Sequence, residues 1–392
     1  MPKRSCWSTW PRKCGGHCSF RSWRPAGRPD DFLPEFFLAS QKLKVLKDRS
    51  ERRLFMADEK FPHLTALHEK YERMGLRGLW QRDARTASAP EARIWRWADM
   101  WPLLQETRRD VRLPEDTDQR VIGLDVPGLS TGSVFVSYQM INPGEKIPSH
   151  RHTPAQMRFI VKGSGAYTTS QGEAMFMEAG DLLVQPNWSW HGTTDPGNES
   201  VFWIDIQDRH LVNYLGAFRR DLWPNDEVEP TVHPENYYAQ QTGLIRPTSR
   251  SNKDAVLPPI HYKWRDMIKV IDEVTETAEL SPYDGRMFEY RHPSTGGHTL
   301  PTLSAQLQLL PPRAQTKEHR HTGMAMYLVV KGAGATIVNG KQIEWREHDC
   351  FLLPPWQWHA HENAATHDRA ILFTVSDRPT LEALGLYYEE GR

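Results

Sequence analysis

Apolar positions fall three and four apart over residues 61–82, where Leu64, Leu67, Tyr71 and Met74 stand among charges. That spacing predicts an amphipathic helix. A polar, Ala- and Arg-rich break follows, and residues 95–101, rich in Trp, predict a second short helical piece. Beyond residue 130 the period shortens. The runs 133–141, 157–162, 165–169, 181–185 and 201–206 are β-branched or aromatic and are separated by Gly, Pro and Asn. This is the pattern of a small antiparallel barrel or jelly roll. A further helix is expected near 263–278.

The pattern occurs twice. Pro148, Ser149, His150, Arg151, His152 and Thr153 are echoed by Lys317, Glu318, His319, Arg320, His321 and Thr322. Asp181, Pro186, Trp188, Trp190 and His191 return in the same order as Asp349, Pro354, Trp356, Trp358 and His359. Both echoes lie roughly 170 residues on, so the chain holds two copies of one β unit. The expected class is mainly β, with two tandem barrels and short helical arms. The expected divisions are an N-terminal extension 1–55, a helical arm 56–115, a first barrel 116–210, a connection 211–300, a second barrel 301–380 and a tail 381–392. The connection carries Pro224, Pro230, Pro234, Pro247, Pro258 and Pro259. It is too long for a loose loop and is expected to pack as arms over the barrels.

Composition narrows the function. Lys+Arg and Asp+Glu number 49 each, so no basic excess points to nucleic acid or a membrane surface. No apolar run approaches the length of a membrane span. Three of the four cysteines, Cys6, Cys14 and Cys18, crowd the N-terminus and only Cys350 lies in the body. That is no disulfide framework, and the expected compartment is the cytoplasm. Residues 1–55 are read as a disordered or wrongly assigned extension, with the working protein starting at Met56. An Arg-rich targeting segment and a metal site of those cysteines with His17 are the alternatives.

A His-x-His pair on a strand puts both imidazoles on one face. His191, after the Gly180-Asp181 turn and another strand, can converge on His150 and His152. Three neutral imidazoles around open positions suit a divalent transition metal that also binds substrate and oxygen. The other reading is a set of barrel-lining histidines with structural hydrogen bonds.

At these residues the chain resembles the cupin superfamily. Gly144, His150 and His152 match its first motif, and Gly180, Asp181, Pro186 and His191 its second. The usual Glu is missing, with Gln156, Met157 and Arg158 in its place. This departure resembles the bicupin gentisate 1,2-dioxygenase family and its salicylate, 5-nitrosalicylate and 1-hydroxy-2-naphthoate relatives. The likeness extends to Leu67, Tyr71, Trp80, Trp97, Trp101, the run Ser281 to Gly285, and Thr295 to Thr302. It spans Met56 to the C-terminus.

The resemblance implies Fe(2+), held by His150, His152 and His191, and a small aromatic carboxylic acid that reacts with O2. The ring opens between the carbons bearing the carboxyl and hydroxyl groups. It also implies a homotetramer. Arg158 is assigned to the substrate carboxylate, because a planar guanidinium fork suits it. Gln139 matches a position that hydrogen-bonds substrate, and Asp205 one that orients a ligand His or meets a ring substituent. Arg120 is a second carboxylate contact. Thr193 stands where many members carry His, and Phe135 where many carry Trp. Both put gentisate itself in doubt and favour a 5-substituted salicylate such as 5-nitrosalicylate. The second barrel keeps His319, His321 and His359 as a possible second metal site. Tyr327 replaces the counterpart of Arg158, so that barrel is expected to be mainly structural. Other classes remain open: a non-catalytic bicupin binding or storage protein, or a cupin enzyme using Mn or Cu.

Overall fold

The computed structural model describes residues 90–124, 133–238 and 258–392, with Glu69, Arg73 and Met74. Residues 1–55 and nearly all of the expected 61–82 helix lie outside them. Residues Thr86–Arg392 form one unit, and everything below concerns it.

Alternation of inward and outward side chains closes two barrels, each from a six-stranded and a five-stranded antiparallel sheet. In the first, the six-stranded order is Ile260–Tyr262, Leu182–Gln185, Gln156–Lys162, Val201–Gln207, Phe135–Ile141 and Arg120–Gly123. Its five-stranded sheet runs Arg220–Leu222, Lys146–His152, His191–Thr194, Ser164–Ser170 and Glu173–Glu178. The second barrel repeats this with Arg93–Trp95, Cys350–Leu353, Ala325–Lys331, Ala370–Ser376, Ser304–Leu310 and Arg286–Glu289. Its other sheet is Lys341–Arg346, Ala333–Val338, His359–Glu362, His319–His321 and Glu389–Gly391.

The six-stranded sheets are buried on both faces, which is why their strands read as continuous apolar runs. Ile160 and Trp203 face the interior of the first barrel. Their neighbours Met157, Phe159, Phe202 and Ile204 face out and pack with Leu307, Met326, Phe373 and Val375 of the second. The rings of Phe159 and Phe373 stack at 4.2 Å at the centre of this shared core.

Each barrel takes its outermost strand from a segment that precedes the other. Arg93–Trp95 pairs with Cys350–Leu353, and Ile260–Tyr262 pairs with Leu182–Gln185. A helix starts just after each borrowed strand, Trp97–Asp110 and Trp264–Val274. Neither helix is capped by its own N-cap side chain. Instead Asp349 Oδ1 accepts from Trp97 N at 2.7 Å, and Asp181 Oδ1 from Trp264 N at 2.8 Å. Both acids belong to the second repeated motif, so that motif clamps the arms as well as leading into a histidine. Asp181 Oδ2 also bonds His261 Nε2 at 2.8 Å. Lower down, Asp208 accepts from Thr302, and Asp377 from Ser133. We expect Asp181→Ala and Asp349→Ala each to cost about 2 kcal/mol in urea unfolding, the loss of a cap plus a charge-assisted bond. Losses below about 0.5 kcal/mol in both would show that the helix starts do not depend on these acids.

Three expectations need correction. The 95–101 piece is the junction between the strand Arg93–Trp95 and a 14-residue helix. The tail 381–392 contains Glu389–Gly391, which pairs with His319–His321. The connection 211–300 supplies strands to both barrels. Three-residue edge strands are too short to carry a periodic signal, and only their partners across the sheet define them. The helix expected at 263–278 is present as Trp264–Val274.

Candidate metal centre

His150 and His152 lie two apart on Lys146–His152, and His191 opens the neighbouring strand directly across from His150. The ring centroids are 4.5, 4.9 and 5.6 Å apart, and one nitrogen from each ring falls within 4.8 Å of the other two. The backbone orients every ring in the same way. Nδ1 of His150 donates to Pro148 O at 3.0 Å, that of His152 to Pro154 O at 2.7 Å and that of His191 to Ser189 O at 3.0 Å. A carbonyl can only accept, so the proton sits on Nδ1 and the Nε2 atom keeps the lone pair that could bind a metal. His191 Nε2 is buried without any partner. Burial pushes the His150 imidazole down to about 3 and that of His152 to about 4, and holds His191 well below its ordinary value. Arg220 and Arg158 add to the effect at His150. Three neutral imidazoles converging on one buried point fit a transition-metal dication.

Arg151, between the two ligands, is clamped from outside. Its guanidinium lies 4.4 Å from the Trp188 ring and 4.6 Å from that of Trp190, and it pairs with Asp221 at 2.7 Å. Trp188 holds a left-handed backbone, φ 62°, and its N donates to His152 O at 2.8 Å. The two tryptophans therefore tie the His191 approach to the His150/His152 strand.

Arg158 lies close enough for its charge to act on His150 and His191. Thr193, two residues past His191 and on the same face, accepts from its Nη1 at 2.9 Å, and Thr168 does so at 2.8 Å. Nε donates to Asp205 Oδ1 at 3.1 Å, and the Trp203 ring lies 4.7 Å from the guanidinium carbon. Asp205 is fully buried, and burial raises its carboxyl although Arg158 pulls the other way. Gln139 Nε2 donates to Asp205 Oδ2, which leaves Gln139 Oε1 buried and unpartnered. Arg158 Nη2 has no hydrogen-bond partner among the described residues.

Arg120 does not serve as expected. It is buried, but Nη1 and Nη2 bond Glu145 at 2.6 and 2.7 Å, and Nε bonds Val111 O at 2.5 Å. Two nitrogens are committed to an ion pair and the third to a backbone carbonyl. Phe135 packs against His210 at 5.6 Å and Arg209 at 5.6 Å, at the start of its strand. Asp205 contacts Arg158 and Gln139, and none of its hydrogen bonds reaches a triad histidine. Sequence reasoning missed Thr168, Trp203 and Arg220. Alternation puts Trp203 on the face of Asp205 and could have found it. Arg220 stands opposite His152 on a three-residue strand and left no signal.

The fold and site define a bicupin. Cupin domains match residues 137–207 and 306–376. A 5-aminosalicylate 1,2-dioxygenase from Comamonas sp. is 34% identical over 343 residues, 84% of this chain and 90% of that protein. A gentisate 1,2-dioxygenase from Haloferax sp. is 31% identical over 85% of this chain and 99% of its own. A solved salicylate 1,2-dioxygenase of Pseudoaminobacter salicylatoxidans, in adduct with gentisate, superposes with TM-score 0.75 at 26% identity, covering 84% and 94% of the two chains. The chain belongs to the gentisate-type family of ring-cleaving 1,2-dioxygenases. No helix among the described residues is long and apolar enough to cross a membrane.

Proposed function

We propose that this chain holds Fe(2+) at His150, His152 and His191 and opens a salicylate-type acid between its carboxyl- and hydroxyl-bearing carbons. The observation that carries the reading is three neutral imidazoles converging beside an arginine whose Nη2 has no hydrogen-bond partner among the described residues. When bound, the ion supplies redox chemistry and open coordination positions for substrate and O2. Arg158 Nη2 reads the substrate carboxylate. Asp205, Thr168 and Thr193 hold the guanidinium plane, so little freedom is lost on binding. Trp203 covers one face of the guanidinium and excludes water there. Gln139 Oε1 accepts from a donor on the substrate, which favours a hydroxyl or amino substituent over a nitro group. The substrate is then gentisate or a 5-substituted salicylate, and 5-nitrosalicylate is the weaker fit. The same reading carries a homotetramer in the cytoplasm, and light scattering on the purified protein measures the first.

The test is O2 uptake by protein loaded anaerobically with Fe(2+), with gentisate, salicylate, 5-aminosalicylate, 5-nitrosalicylate and 1-hydroxy-2-naphthoate. We expect uptake with at least one of the acids, and faster with a 5-hydroxyl or 5-amino group than with 5-nitro. No uptake with any of the five, or equal uptake by metal-stripped protein, would sink the reading.

A further inference from the structure

We propose that the second barrel holds a divalent cation at His319, His321 and His359, with the Asp284 carboxylate standing against His319, as a structural ion that aromatic acids do not reach. The proposal is independent of the chemistry assigned to the first barrel.

The three rings stand 4.2, 5.1 and 5.7 Å apart, with nitrogens within 4.8 Å of one another. Nδ1 of His321 donates to Gly323 O at 2.8 Å and that of His359 to Gln357 O at 2.9 Å, the arrangement seen in the first barrel. His359 is 2% exposed, and its Nε2 is buried with no partner. A carboxylate stands beside one member of the set. Asp284 Oδ1 lies 3.5 Å from His319 Nε2, where it can orient that ring and offset the charge of an ion held by it. Asp284 is fixed in place. Its Oδ2 accepts from Ser281 Oγ at 3.1 Å, and its carbonyl accepts from Gln308 Nε2 at 2.9 Å. The turn is closed by Ser281 N to Gly285 O at 2.7 Å. Gly285 adopts φ 75° where a Cβ would meet Leu309 O at 2.6 Å.

The two barrels invert the charge at their mouths. In the first, Arg220 stands in register with His152, and in the second Glu389 stands in register with His321. Glu389 also comes within ligand reach of His319 and Asp284. A dication with three neutral imidazoles keeps its full charge, and acidic neighbours offset it. The same acids repel a carboxylate substrate. The space is taken as well. Tyr327 and His361 replace Arg158 and Thr193. Their rings lie 5.3 Å apart, with Tyr327 stacked on Phe351 at 4.7 Å. Three imidazoles with acidic side chains against them and Tyr327 in place of Arg158 suit a structural zinc-like ion.

The test uses the full chain, stripped by chelator and titrated with Zn(2+) and then Co(2+). We expect two ions per chain, and one in His152→Ala. The cobalt ion left in His152→Ala should show a visible spectrum unchanged by added salicylate. Asp284→Asn on that background should weaken this ion by at least the roughly 10–100-fold that losing a supporting contact costs. Circular dichroism and Tm verify folding, and Zn(2+) should raise the Tm of His152→Ala less once Asp284 is changed. The proposal is overturned if His152→Ala binds no ion, if Asp284→Asn binds as tightly as its parent, or if salicylate alters the cobalt spectrum.

Discussion

Purified His152→Ala protein is expected to retain its fold but to lose turnover of every aromatic acid by more than two orders of magnitude, with one ion fewer per chain. Two imidazoles remain, and they no longer surround a common point. Even a lost supporting contact to a metal ligand costs roughly 10–100-fold in affinity or activity, and a lost ligand costs more. The loss should follow the metal and not the fold. His152 sits in a strand whose neighbours are held by the shared core and by the Arg151 clamp, which the substitution leaves in place. Metal analysis and O2 uptake on the same sample decide the matter. A variant with native metal content and no activity would remove His152 from the ligand set.

Arg158→Ala is expected to keep its metal and raise KM by roughly two to three orders of magnitude, from about 2–5 kcal/mol for a buried charge-assisted contact. It also strands Asp205, and breaking a buried ion pair costs about 3–5 kcal/mol of stability. The two effects separate in Arg158→Ala/Asp205→Asn, which should recover much of the stability and none of the binding. Arg158→Lys keeps the charge but cannot reproduce bonds to Asp205, Thr168 and Thr193 together with a free nitrogen, so it should recover KM only in part. An unchanged KM in Arg158→Ala would remove the substrate-carboxylate role.

The two histidine triads were legible in the sequence because strand alternation is strict. His150 and His152 must share a face, and repetition of the motif marked His319, His321 and His359 in the same way. Arg158 was legible as a cation near that face, but its partner was not. Asp205 lies directly across from it on another strand, and register between distant strands is set by the assembled sheet. Arg120 shows the converse error. A buried arginine needs an anion, and here the anion is Glu145, supplied by the turn ahead of the ligand strand. Asp284 stayed hidden because it lies in the connection, outside both repeated motifs. Only the hairpin that leads into the second barrel brings it to His319.

The two borrowed outer strands make the halves of this chain reciprocal. Residues 90–238 made alone would leave the edge Leu182–Gln185 bare and carry Arg93–Trp95 with nothing to pair. Residues 258–392 alone would have the mirror fault. Produced together as separate polypeptides, they should find each other and rebuild one particle. A mutation that loosens either barrel would then be felt by its twin, so neither half can evolve without regard to the other.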